Sequence, residues 1–117
     1  MKLTSIQVFK LMYCALDDLW SNNKDDKLAI YLSEANPFIC EEGSADPVVY
    51  NDFKQYFGEE QELYDYGYEC ITDYLRKLDS FYGDILSLFL MISLDEYQKK
   101  AIYNLSLSEE QLKQQHI

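Results

Sequence analysis

Apolar residues recur at steps of three and four along nearly the whole chain, and nowhere do they alternate with period two for long enough to make a strand. β-Branched residues are few, so helices must carry the core. A length of 117 residues is one domain's worth of chain. These features together predict an all-α fold, a single-domain irregular or orthogonal helical bundle over residues 1–117, with about five to seven helices.

The boundaries follow from local signals. Leu3, Ile6, Phe9, Leu16 and Trp20 mark a first helix over about residues 5–20, and Thr4 with Gln7 matches a capping box. Asp25 and Asp26 open a second helix with Leu28, Tyr31, Leu32 and Ala35 on its apolar face, ended near Asn36 by Pro37. Residues between Pro37 and Pro47 form the one substantial loop. Asp46 caps a third helix with Pro47 at its first position, buried through Val49, Phe53, Tyr56 and Phe57 and ended by Gly58. From Glu59 the stripe Leu63, Gly67, Cys70, Ile71, Tyr74, Leu75 and Leu78 predicts the longest helix, of about 20 residues. The nearly all-apolar segment 84–92 has no polar face and is expected to be the central helix. Ser93 with Glu96 and Ser108 with Gln111 open two short final helices, and the tail at 105–117 is expected to fray.

Charge and composition exclude more than they select. Acidic side chains number 21 against 10 basic, for a net charge of −11, and the basic set contains a single arginine, Arg76. Such a chain cannot easily build a basic face, which argues against direct binding of nucleic acid or anionic lipid and favours a basic partner. The 15% aromatic content, with 11 tyrosines, argues against disorder despite the charge. No run approaches the roughly 20 apolar residues that span a bilayer, and the polar start offers no secretory signal. Cys14, Cys40 and Cys70 show no CxxC spacing and read as free thiols in a reducing cytoplasm.

Little catalytic chemistry is within reach. His116 is the sole histidine, so a nucleophilic triad lacks its usual base and a Cys/His metal cluster cannot form. The four glycines are too scattered for a phosphate loop. Carboxylate-only chemistry is left open by counting, but no spacing selects it. The chain is expected not to be an enzyme, with no catalytic, cofactor-binding or metal-ligating residues.

The most pointed pattern lies on the expected long helix. Glu62, Asp65, Glu69 and Asp73 step by three and four residues and would share a sector about 80° wide, opposite the apolar stripe. Like charges so spaced repel, and a purely structural surface would more often interleave lysine. Read blandly, the row is a solvated face; read functionally, it is a ridge that docks a basic protein. Tyr64, Tyr66 and Tyr68 fan around the same helix, so at least one is exposed, and Tyr66 borders the row. Glu41 and Glu42, beside Phe38 and Ile39 in the long loop, form a second acidic candidate, although Phe38 is equally suited to plug the core.

The runs Tyr31-Leu32-Ser33-Glu34-Ala35-Asn36-Pro37-Phe38 and Gly43-Ser44-Ala45-Asp46-Pro47-Val48-Val49-Tyr50, with Leu19-Trp20 before and Phe53 after, carry a resemblance. Over about residues 16–57 the chain resembles small acidic helical bacterial proteins of unassigned activity, some of the immunity type found beside toxin genes. That resemblance implies a cytoplasmic protein that neutralises a cognate toxin, and it carries over no defined binding residue. The expected function is therefore a non-enzymatic immunity or inhibitor protein that occludes a basic partner through Glu62, Asp65, Tyr66, Glu69 and Asp73, with Glu41 and Glu42 second. Two other readings stand beside it: a DNA mimic, and a helical module that self-associates through surface tyrosines.

Overall fold

A computed structural model describes residues 1–39, 43–82 and 84–116, of which 79–82 are described by their backbone alone. Glu41 and Glu42 therefore lie outside the described residues. The chain folds as β1 (Lys2–Thr4), α1 (Ser5–Asn23), α2 (Asp26–Ala35), α3 (Pro47–Phe57), β2 (Glu60–Glu62), α4 (Tyr68–Tyr82), α5 (Ile85–Phe89), α6 (Leu94–Ser106) and α7 (Glu109–His116). It is an all-α globule of 31 × 28 × 26 Å with one small antiparallel ribbon. Among the described residues no helix is long and apolar enough to cross a membrane.

The caps sit where the side chains place them. Thr4 and Gln7 form both halves of the capping box on α1. Asp25 accepts from the Leu28 amide at 2.9 Å at the start of α2, and Asp46 accepts from the Val48 amide at 3.0 Å at the start of α3. Ser93 accepts from Glu96 on α6, and Ser108 and Gln111 exchange hydrogen bonds around the start of α7. Each such cap satisfies amides that the first helical turn leaves without partners. Helix α1 overruns its expected end by three residues, to Asn23, where Lys24 turns into the left-handed region (φ 47°) and lays its ammonium 3.8 Å from the Trp20 ring centroid.

The centre of the bundle belongs to α1 rather than to segment 84–92. Helix α1 packs against β1, α2, α3, α5 and α6, and its stretch from Leu11 to Leu16 is buried throughout. Segment 84–92 instead makes the five-residue helix α5, which sends Ile85 and Phe89 inward and leaves Leu90 and Met91 exposed. Aromatic contacts join the helices: Phe53 meets Phe9 at 5.4 Å and Tyr74 at 4.9 Å, and Tyr68, Phe89 and Tyr97 form a triangle with sides of 5.2, 5.4 and 5.8 Å. On α3 the buried face is Val49, Tyr50, Phe53 and Phe57, with Tyr50 inside, bonded to Ser5 at 2.8 Å, and Tyr56 at the surface.

The tail is organised around the sole histidine. Helix α7 lies on α1, with Leu112 buried and His116 Nδ1 placed 2.7 Å from Asp17 Oδ2. The His116 ring stacks on Phe38 with centroids 5.9 Å apart, and Phe38 is itself buried, so it plugs the core as one of its two sequence readings held.

Candidate functional site: an acidic cleft

The segment between α3 and α4 departs most from the helical expectation. Gly58 ends α3 with φ 89°, and residues 60–62 then run extended, pairing antiparallel with β1 in the register Lys2↔Glu62, Leu3↔Gln61, Thr4↔Glu60. The Leu63 amide donates to Met1 O at 2.8 Å and the Ser5 amide to Glu59 O at 2.9 Å, which closes the ribbon at both ends. Asp65 then sets the start of α4. Its Oδ1 accepts from the Gly67 amide and its Oδ2 from the Glu69 amide, both at 2.9 Å, so its charge lies against the positive end of that helix. Tyr66 and Gly67 both take positive φ, 57° and 94°, and the helix begins only at Tyr68. The expected helix from Glu59 is thus a strand, a turn and a shorter helix, and the single acidic helix face does not exist.

Gly67 is where the turn meets the core. A Cβ at this position would lie 2.8 Å from Val8 Cγ1, closer than real side-chain carbons approach, so the turn closes onto α1 only because residue 67 has none.

The four ridge carboxylates are nevertheless brought together. Glu62 from β2, Asp65 from the turn, and Glu69 and Asp73 from α4 line one open cleft of about 620 Å³. Gln61, Leu63, Tyr64 and Cys70 share its lining with Tyr56 of α3. The Met1 amine sits 2.9 Å from Glu62 and Arg76 sits 2.8 Å from Asp73. All four groups are half-exposed, so these ion pairs are weak and easily exchanged for a competing cation.

The field in the cleft is legible in its neutral groups. Burial first, then the charges of Asp73 and Asp65, push the Cys70 thiol up to about 11. Burial also raises the Tyr56 hydroxyl, helped by Cys70 and Asp73 and opposed by Arg76. Cys70 therefore stays a thiol near neutrality, which does not suit it to act as a nucleophile. Among the described residues no three His, Cys, Asp or Glu side chains are grouped so as to hold a metal ion.

The tyrosines differ from expectation. Tyr66 is half-buried, packs on the core and accepts the Tyr97 hydroxyl at its carbonyl at 2.8 Å, so it does not line the cleft. The aromatic groups that do are Tyr64, 90% exposed, and Tyr56, 39% exposed. Tyr64 was one of three alternating tyrosines whose exposure sequence could not apportion, and Tyr56 fell on an expected core stripe. No family model, curated protein or solved structure matches this chain. The functional reading accordingly rests on the cleft.

Proposed function

We propose that this chain is a non-enzymatic binding protein of the immunity or inhibitor kind, which occludes a basic protein by docking it into the acidic cleft. The observation that carries the reading is the convergence of Glu62, Asp65, Glu69 and Asp73, from three different elements, on one cleft with two accessible tyrosines. Carboxylates of this kind set partner orientation and encounter rate. Tyr64 and Tyr56 supply the rigid amphipathic area that interface centres favour, and their rings suit lysine or arginine side chains. The net charge of −11 steers a cationic partner from a distance.

The test is capture from a lysate of the source cell, with wild type and the E62Q/E69Q/D73N variant as parallel baits. Asp65 is left in place because its carboxylate caps α4. The expected result is one basic protein that the wild type retains at low salt, associates with more slowly as salt rises, and loses in the variant. Capture of the same protein by the variant at an unchanged association rate removes the cleft from the interface. An empty capture from both baits, with both folded, counts against the binding-protein reading itself.

A further inference from the structure

We propose that a second cavity, walled by α2, α3 and α4, is a binding site for a small organic cation with an apolar body, an aryl- or alkylammonium of fragment size. The cavity holds about 290 Å³, close to the lower end of the range typical of small-molecule sites, about 300–1,000 Å³. It shares no lining residue with the acidic cleft. Its placement between helices of a bundle is a common one for a ligand pocket.

The walls are fixed before any ligand arrives. Tyr31 of α2 and Tyr74 of α4 are buried, and Tyr74 is held edge-on against Phe53, with ring planes at 87°. Val49 and Leu78 supply apolar lining. Tyr31 and Tyr74 are thus the packed floor beneath the cavity, and an apolar body would rest over it against Val49 and Leu78.

The charges select the sign of the ligand. Helix α3 contributes Asp46 at its cap and Asp52 further along the helix, while Lys77 of α4 is the cationic group of the lining. Two carboxylates against one ammonium, on a chain of net charge −11, favour a cation over an anion of equal shape. Asp46 is oriented by the Val48 amide at 3.0 Å, and an ionised carboxylate retains acceptor capacity beyond one such bond. Tyr74 stands 5.8 Å from Tyr56 of the cleft, so an aromatic pair separates the two sites. The cavity reading is independent of the docking reading.

The experiment titrates phenethylammonium into isotope-labelled protein and follows backbone amide shifts, with phenylacetate as the matched anion. Saturable shifts are expected at Val49, Asp52 and Leu78, with phenylacetate at least about tenfold weaker, a difference of roughly 1.4 kcal/mol. Asp52→Asn should weaken the amine by about tenfold. Val48→Lys places a tethered ammonium at the rim, where Val48 is 62% exposed and tolerant of change, and should abolish binding with an otherwise unchanged spectrum. Absence of saturable shifts at millimolar amine overturns the proposal, as does equal binding of phenylacetate. Shifts at Leu63 and Cys70 in place of the cavity residues put the amine in the cleft and overturn it as well.

Discussion

Gly67→Ala tests the turn on which the cleft depends. At φ 94° a non-glycine residue is strained by about 1–3 kcal/mol. The new Cβ would also lie 2.8 Å from Val8 Cγ1 and 3.5 Å from Val8 Cγ2, and Val8 is fully buried, so it cannot swing into solvent. Forcing one carbon into a packed core costs about 1–3 kcal/mol more. The single variant should therefore lose about 2–6 kcal/mol, a large part of a typical domain's 5–15 kcal/mol. Val8→Ala removes the methyls that collide, and by itself should cost about 1.6 kcal/mol in lost transfer energy plus a cavity contribution. In the double variant the collision is gone while the backbone strain persists, so its loss should fall short of the sum of the two single losses by about 1–3 kcal/mol. Urea unfolding monitored by circular dichroism gives all four corners of the cycle. Additivity to within about 0.5 kcal/mol, or a Gly67→Ala loss below about 1 kcal/mol, would refute the reasoning.

Three further outcomes follow from the packing. Burial raises the Cys14 thiol and the Tyr97 hydroxyl well above their ordinary values of 9.0 and 10.0, and raises Cys70 to about 11. The native state thus keeps protons that the unfolded chain releases, so stability is intact below pH 9 and is lost above it, by up to about 1.4 kcal/mol per pH unit per group; urea midpoints in reductant that stay level from pH 8 to 10.5 would contradict this, and Cys14→Ala should flatten the loss. His116→Ala removes the bond to Asp17 and the stack on Phe38, and should cost about 1.5–3 kcal/mol with early amide exchange across α7, whereas uniform exchange would show that the helix is held by Leu112 alone. Tyr64→Ala removes a side chain 90% exposed, so its melting temperature should match the wild type while affinity for the captured partner falls at least about tenfold.

What could be read from the sequence was local. The caps at Thr4, Asp46, Ser93 and Ser108 and the stripe of α2 are written within a few residues of where they act, because capping bonds and helical faces are themselves local. The segment 59–67 was not legible for the opposite reason. The extended backbone of Glu60–Glu62 gets its partners from Lys2–Thr4, some sixty residues earlier, and none of its side chains is buried to leave a period. The spacing of Glu62, Asp65, Glu69 and Asp73 imitates a helix face, although only the last two share a helix. Their convergence is therefore foreseen for the wrong geometry, and the same misreading hides Tyr64, whereas Tyr56 is hidden by its place on the expected apolar stripe of α3. A signal was present in Gly58 and Gly67, which bracket the non-helical segment and both take positive φ. The misplaced centre has a different cause: segment 84–92 is apolar all round, but α5 is only five residues long, too short to reach across a bundle that the nineteen residues of α1 traverse.

The ribbon of β1 on β2 ties the first residues of the chain to one wall of the cleft, since Gln61 and Glu62 belong to both. Any molecule that binds with β2 in place must also disfavour the excursions in which β1 peels away, and by reciprocity whatever holds β1 down must tighten binding. The amides of Leu63 and Ser5, which close the two ends of the ribbon, would thereby report occupancy by such a molecule, their exchange with solvent deuterium slowing as it binds. If the cleft binds a partner as proposed, residues 2–4 would be a remote handle on affinity, since a change at Leu3, the buried residue of β1, would alter the dissociation constant although Leu3 does not line the cleft.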